Sequence, residues 1–247
     1  MEFERQKVQR LEHVDLSRKG SIDIALHKSV SFINALPQYF TTSSCSGRII
    51  LFENVSSKIQ KKGCKWLHVT HDFVTVKDLK AGLTDISGEA VLKFEPMVMH
   101  VQCRTLEDAQ RMHQVAVASG FRNSGISVGT KGKIVTAIRS THSLEVPLSS
   151  KGQVLVAQEH LEHLVDSANS KMQENNLRID RFYTNLQSLS AEVSLHESCR
   201  SQAKREKSQA DKKPTNSNRT SKNDKQEKLD DDFNNDDSLN LFIFDNT

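Results

Sequence analysis

The sequence predicts an α+β fold: a mixed, largely antiparallel sheet with packed helices and a long C-terminal helix, outside the Rossmann class. Three observations predict it. Between Tyr39 and Arg104 the chain offers short β-branched and aromatic runs, YFTTSS, RIILFE, KWLHVT, AVLKFE and VMHVQCR, divided by turn chemistry. Gly125, Gly129 and Gly132 are spaced as GISVGTKG, but the β-like run KIVTAIR follows them. A dinucleotide fingerprint or P-loop needs a helix N-terminus at that point to receive phosphates. Finally, residues 156–194 contain neither Pro nor Gly, and their apolar residues recur at three- and four-residue steps from Leu161 to Val193.

Taken in order, residues 2–13 read as a short helix. DLSRKGSID follows as a turn, with Ser21 placed to cap a second helix running to Leu36. Pro37 stops that helix, because it has no N–H to donate and its ring clashes with the preceding turn. TTSSCSGR, residues 41–48, reads as a small polar turn between Tyr39-Phe40 and the apolar IILF. VKDLKAGL reads as a short helix, and TLEDAQRMHQVAVAS as a longer one with Thr105 at its cap and Glu107 and Asp108 in its first turn. Gly120 closes it. FRNSGISVGTKGKIVTAIRSTHSLEVPLS returns to sheet, with Lys131-Gly132 turning a hairpin. A helix leading into Tyr39-Phe40 and a Ser-Gly turn is echoed by a helix leading into Gly120-Phe121 and Ser124-Gly125, which suggests two related halves whose turns face one cleft.

Composition divides the chain into an α+β domain, residues 1–197, and a charged tail, residues 198–247. From Ser198 to Lys228 there are ten Lys/Arg against four Asp/Glu and no Val, Ile, Leu, Met or aromatic residue. Such a stretch cannot bury enough surface to offset its ordering entropy and is expected to be disordered. From Leu229 onward the sign reverses to six acids and no base, ending in a short LFIF run. The domain itself carries a formal charge of +3, which suits an anionic partner without requiring one. No stretch approaches the roughly 20 apolar residues of a membrane span, and MEFER is the wrong opening for a signal or transit peptide. The expectation is a cytoplasmic protein with no membrane partner, whose four scattered cysteines are thiols.

Metal and hydrolase signatures are weak. Cys45, His71, His100 and Cys103 are the possible ligands, yet no CxxC or HExxH occurs, and on a strand His100 and Cys103 point to opposite faces, so no metal is expected. Gly-x-Ser-x-Gly is absent, and SSCSG is not a strand-to-helix nucleophile elbow. Anion recognition fares better. Arg48, Arg104, Arg122 and Arg139 each stand beside small or hydroxyl residues at the end of a β run or helix. A guanidinium there grips phosphate or carboxylate with a planar fork, and amides of Ser/Gly turns add donors.

DLSRKGSID, FTTSSCSGR, WLHVTHD, LKFEPMVMHVQCR, SGFRNSGISVG and RSTHSLEVPL, in this order and spacing, resemble the tRNA wybutosine-synthesizing protein 3 family. The resemblance covers residues 15–186 and stops short of the tail. It implies an enzyme that uses S-adenosyl-L-methionine to methylate a ring nitrogen of the tricyclic base made from the guanosine beside the anticodon of phenylalanine tRNA, with other wybutosine-pathway enzymes as further candidate partners. It also implies a non-Rossmann fold, in agreement with the failed glycine fingerprint. On this resemblance Ser43, Ser44, Cys45, Ser46, Gly47, Arg48, Ser124 and Gly125 are candidates for cofactor binding. Lys19, His71, Arg104, Arg122, Asn123, Arg139 and Ser140 are candidates for the RNA substrate. Among groups in these motifs His71, Glu95, His100, His142 and Glu145 could handle a proton; His100, His142 and Glu95 are taken as the catalytic candidates, because histidine has the unperturbed pKa best suited to neutral conditions. The competing reading is a non-catalytic tRNA-binding module; a metal-dependent hydrolase is a third.

Overall fold

The structure is a computed structural model and describes residues 2–12, 21–54, 64–130 and 132–210, the side chains of 190–210 excepted. Helix α1 (Glu2–Glu12) is followed by a 3₁₀ turn (Ile24–Leu26), α2 (His27–Ala35), β1 (Tyr39–Asn54), β2 (Lys65–Thr70), α3 (Val76–Gly82), β3 (Glu89–Cys103) and α4 (Leu106–Ala118). Then come β4 (Gly125–Val128), β5 (Ile134–Ile138), β6 (Leu144–Pro147), β7 (Ser149–Ser150), β8 (Gln153–Val154) and α5 (Gln158–Ala210). The main sheet runs β2-β1-β3-β5-β4, with β6 also on β3 beyond β5, and every pairing is antiparallel. The α+β class, the antiparallel sheet and the long last helix are therefore as expected.

Several boundaries differ from expectation. TTSSCSGR is not a turn: it lies within the 16-residue strand β1, paired along its length with β3. Likewise AVLKFE and VMHVQCR fuse into β3 across Pro96. A proline is tolerated in this central strand because Glu95 to Val98 fall in the gap between the stretch of β3 paired with β6 and the stretch paired with β5, so no ladder donor is missed there. The second helix is not capped by Ser21; it enters through the 3₁₀ turn after Asp23. Thr75 and Thr105 do cap α3 and α4, each in a reciprocal capping box with Asp78 or Asp108. The expected hairpin joins β4 to β5, with Gly132 N–H donating to the Gly129 carbonyl (2.8 Å).

Helix α5 spans 53 residues and so extends past the 197 boundary read from composition. Its buried residues Leu161, Val165, Ala168, Met172, Asn175, Ile179, Phe182, Leu186 and Leu189 recur at alternating steps of four and three. That is a heptad stripe, and it lies along the sheet. The stripe divides into two cores. Ile49, Leu51, Ala90, Leu92, Phe94 and Leu79 pack with Leu161 to Met172; Tyr39, Met97, Met99, Val101, Cys103, Met112 and Phe121 pack with Ile179 to Leu189.

Successive strand residues face opposite ways. Yet β3 gives even-numbered residues 90, 92 and 94 to the first core and odd-numbered residues 97 to 103 to the second. The faces exchange at Glu95-Pro96, opposite Gly47, whose φ of 100° lies in the left-handed region. Asn175 sits there. Its Oδ1 accepts from Met97 N–H (2.8 Å) and its Nδ2 donates to the Ser46 carbonyl (2.7 Å). The side-chain amide thus stands between two strands where a ladder bond would otherwise run. A Cβ on Gly47 would lie 3.0 Å from Asn175 Nδ2 and 3.0 Å from the Glu95 carbonyl, so glycine is required at this crossing.

Candidate active site on the open side of the sheet

With the helical stripe on one side, the other side of the sheet is partly open, and the register shows what lines it. Ser43 pairs with His100, His100 with Ala137, and Ala137 with Gly125. Directly paired residues share a face, so these four form one row across β1, β3, β5 and β4. Of the two Ser-Gly segments expected to face one cleft, Ser46-Gly47 lies mid-strand in β1 and Ser124-Gly125 leads into β4. Ser43 is exposed and its Oγ lies 2.9 Å from His100 Nδ1. Burial, then the nearby Arg139, push the His100 pKa below its usual value. Arg139 is exposed, and its Nη2 would be the nearest atom, at 3.9 Å, to a Cβ on Gly125.

Past the face exchange a charged row continues the open side. Arg48 Nε donates to Glu95 Oε2 (2.9 Å), while Lys93 bridges Glu95 (3.4 Å) and Glu145 (3.2 Å). The guanidinium of Arg48 also lies over the Trp66 ring, 5.4 Å from its centroid. Glu95 is therefore committed to two cations.

Beside this row Asp23, Cys45, Ser46, Gly47 and His71 converge. Asp23 is buried, and its Oδ2 accepts from Ser46 N–H (2.8 Å) and lies 3.6 Å from His71 Nδ1. His71 Nδ1 is 2.9 Å from the Gly47 carbonyl. Ligand atoms of Asp23, Cys45 and His71 lie within 4.8 Å of one another, a spacing a metal ion can use. The hydrogen bonding favours another reading. A carbonyl only accepts, so His71 Nδ1 carries a proton and is not a ligand. Burial raises the Cys45 pKa, so its sulfur is a thiol at neutral pH.

The remaining candidates fall elsewhere. Lys19 lies outside the described residues. Ser46 and Gly47 are buried and engaged within the protein, so they build the site more than they line it. Ser44 is half-buried and pairs with Met99 on the helical side. Arg104 holds the N-terminal helix: it donates to the Pro37 carbonyl (2.9 Å), pairs with Glu4 (2.5 Å) and lies over Phe3. Arg122 and Asn123 are exposed just before β4, and Ser124 Oγ closes its own turn on the Phe121 carbonyl (2.7 Å).

His142 belongs to a separate polar knot. Ser140 Oγ lies 2.6 Å from its Nδ1, and Arg178 Nη1 reaches Ser140 Oγ (2.8 Å), His142 Nδ1 (3.2 Å) and the Gly120 carbonyl (3.2 Å). Arg178 can only donate, so Nδ1 accepts and the ring proton sits on Nε2, which is buried without a partner. Burial and then Arg178 depress the His142 pKa to about 4. The ring is neutral and fixed.

Asp23, Asn175 and Arg178 are site-building residues that sequence reasoning missed. Asp23 stood within DLSRKGSID, and that motif was the signal available. Asn175 and Arg178 had only their place in a helix to mark them; a polar residue on an otherwise apolar heptad stripe is the sign that finds Asn175.

Fold and site define a class: an antiparallel α+β protein with a cation-edged, hydroxyl-bearing open sheet face and no phosphate-binding glycine loop. Within that class the chain belongs to the methyltransferase TYW3 family, which it matches over residues 4–188. It is 56% identical over 187 residues to the tRNA wybutosine-synthesizing protein 3 homolog of Danio rerio, covering 75% of this chain and 74% of that one. Identity to the tRNA(Phe) 7-((3-amino-3-carboxypropyl)-4-demethylwyosine(37)-N(4))-methyltransferase 1 of Pyrococcus furiosus is 34% over 189 residues, 76% of this chain and 96% of that protein. A solved structure of a protein from Pyrococcus horikoshii superposes with a TM-score of 0.69 at 32% identity, covering 74% of this chain and 95% of that one.

Proposed function

We propose that this chain methylates N4 of the 4-demethylwyosine-type base at position 37 of phenylalanine tRNA, with S-adenosylmethionine as donor. The observation that carries the reading is the alignment with the Pyrococcus furiosus N4-methyltransferase over nearly all of that protein's length. The catalytic unit is then the portion within residues 1–197, with the tail as an accessory.

The donor set on the open side fits such a cofactor. Arg139 offers an exposed fork for its carboxylate, Ser43 offers a hydroxyl, and Gly125 leaves open space beside Arg139. When bound, the cofactor supplies an electrophilic methyl group on a sulfonium. The protein's own part is to align the acceptor nitrogen with that carbon and to exclude water, which can account for most of the acceleration. Arg48, Trp66 and the exposed Arg122 and Asn123 are placed to engage the base and its flanking phosphates.

The test is calorimetric binding of S-adenosylhomocysteine without RNA, together with methyl transfer to phenylalanine tRNA carrying the demethylated base. Binding of the cofactor product and incorporation at position 37 are expected. A protein that binds the tRNA but neither cofactor form is a non-catalytic module, and the proposal fails.

A further inference from the structure

We propose that His71 Nε2 is the proton acceptor of the methyl transfer and that Asp23 is its positioning residue. The inference rests on the function proposed above and goes beyond it by assigning the proton.

A neutral base that gains a methyl cation and ends neutral gives up one ring N–H proton, taken here as the one on the acceptor nitrogen. The balance is simple. The N–H bond breaks toward His71 Nε2, the nitrogen's electron pair forms the bond to the methyl carbon, and the carbon–sulfur bond breaks with both electrons staying on sulfur. The imidazolium then returns its proton to water.

Three observations single out His71. Its Nδ1 faces the Gly47 carbonyl at 2.9 Å and Asp23 Oδ2 at 3.6 Å, which only accept, and the Ser46 hydroxyl at 3.5 Å, which can accept as well. The proton is therefore held on Nδ1 and the lone pair falls on Nε2. Asp23 is 7% exposed and fixed by the Ser46 N–H, so its carboxylate stays in place to favour the imidazolium when it forms. The His71 side chain is 34% exposed, so the ring is anchored inward at one nitrogen and open on its solvent side.

His71 also stands where the substrate is expected. His71 directly follows Thr70, the last residue of β2, which pairs with Ile49, and so stands beside Arg48 and its partner Glu95. The charged and titratable groups facing it are Asp23 from the segment before α2, Cys45 and Arg48 from β1, Glu95 from β3 through Arg48, and Asp72 beside it in the chain. The other candidate histidines are placed less well: His142 Nδ1 is taken by Ser140 and Arg178, and His100 Nδ1 faces a hydroxyl that can donate or accept.

The experiment is single-turnover methyl transfer across pH with saturating cofactor and tRNA carrying the demethylated base, using wild type, His71→Asn, His71→Ala and Asp23→Asn. Asn keeps a donor near the position of Nδ1 and removes Nε2. His71→Asn is expected to lose about 10²–10⁴-fold in rate at neutral pH and the acidic limb of the profile, with S-adenosylhomocysteine and tRNA dissociation constants changed less than about threefold. Asp23→Asn should slow transfer in the wild-type background and have little further effect on His71→Asn, because a positioning residue acts only through the histidine it holds. Added imidazole should restore part of the His71→Ala rate. In the folded wild-type complex, NMR titration of His71 should give the midpoint of that limb.

A His71→Asn profile matching wild type, or a His71 midpoint away from the limb, overturns the assignment. The titration uses the unaltered protein, so a variant that fails to fold does not rescue the idea. If wild type itself transfers no methyl group, the functional proposal has failed, a different outcome from an active wild type with indifferent variants.

Discussion

At the scale of single residues, Asn175 and Gly47 are the most constrained pair in the molecule. Replacing Asn175 by Leu keeps the number of heavy atoms but leaves the Met97 N–H and the Ser46 carbonyl buried without partners, at about 1–3 kcal/mol each. A loss of roughly 2–5 kcal/mol in urea unfolding is the expected result. Asn175→Asp should be no better, since a carboxylate oxygen would then face the Ser46 carbonyl. His142 makes a second prediction. Its folded pKa is depressed to about 4, below the ordinary value. Above about 6.5 the ring is neutral in both folded and unfolded chains. Between that value and about 4 the unfolded chain takes up a proton that the folded ring refuses, so acidification favours unfolding. Melting temperature should fall over this window more in wild type than in His142→Gln. Neither residue's role was legible in advance. The sequence displays a histidine in RSTHS and an asparagine in QENN, but not the arginine or the strand crossing that reaches each from 36 or 78 positions away.

At the scale of elements, what the sequence displayed best were periods and punctuation. Thr105 announced its helix, Gly132 its hairpin, and the three-and-four stepping the last helix, because caps, turns and amphipathic stripes are written within a few neighbouring residues. TTSSCSGR was misread for the same reason. Small hydroxylated residues signal a turn locally, and only pairing with a second long strand makes them a strand. The heptad stripe of α5 yields a prediction at this scale. Phe182 is fully buried and stands edge-on to Phe121, with ring centroids 6.0 Å apart. Phe182→Ala should cost about 3–5 kcal/mol, whereas ending the chain after residue 195, beyond the last described stripe residue Leu189, should leave the melting temperature nearly unchanged.

At the scale of the whole molecule, charge is divided unevenly along the chain. Residues 198–228 carry ten bases and four acids, and the final 19 residues carry six acids and no base. If the basic stretch contacts tRNA phosphates, removing it should flatten the dependence of binding on salt, since each phosphate neutralised adds to that slope. Equal slopes for full-length and truncated proteins would assign the electrostatics to Arg48, Arg122 and Arg139 of the sheet. Among the described residues no helix is long and apolar enough to cross a membrane.

The amide wedged at the strand crossing also sets an order of events in time. Ser46 and its partner on α5 are 129 positions apart, so the midpoint of the β1–β3 ribbon cannot be completed until nearly the whole of the matched region has been synthesised. Contacts of such long range form slowly, because the loop they close must be ordered before they contribute. A chain growing on the ribosome therefore holds the Ser46 carbonyl and the Met97 N–H without their shared partner until residue 175 has been made.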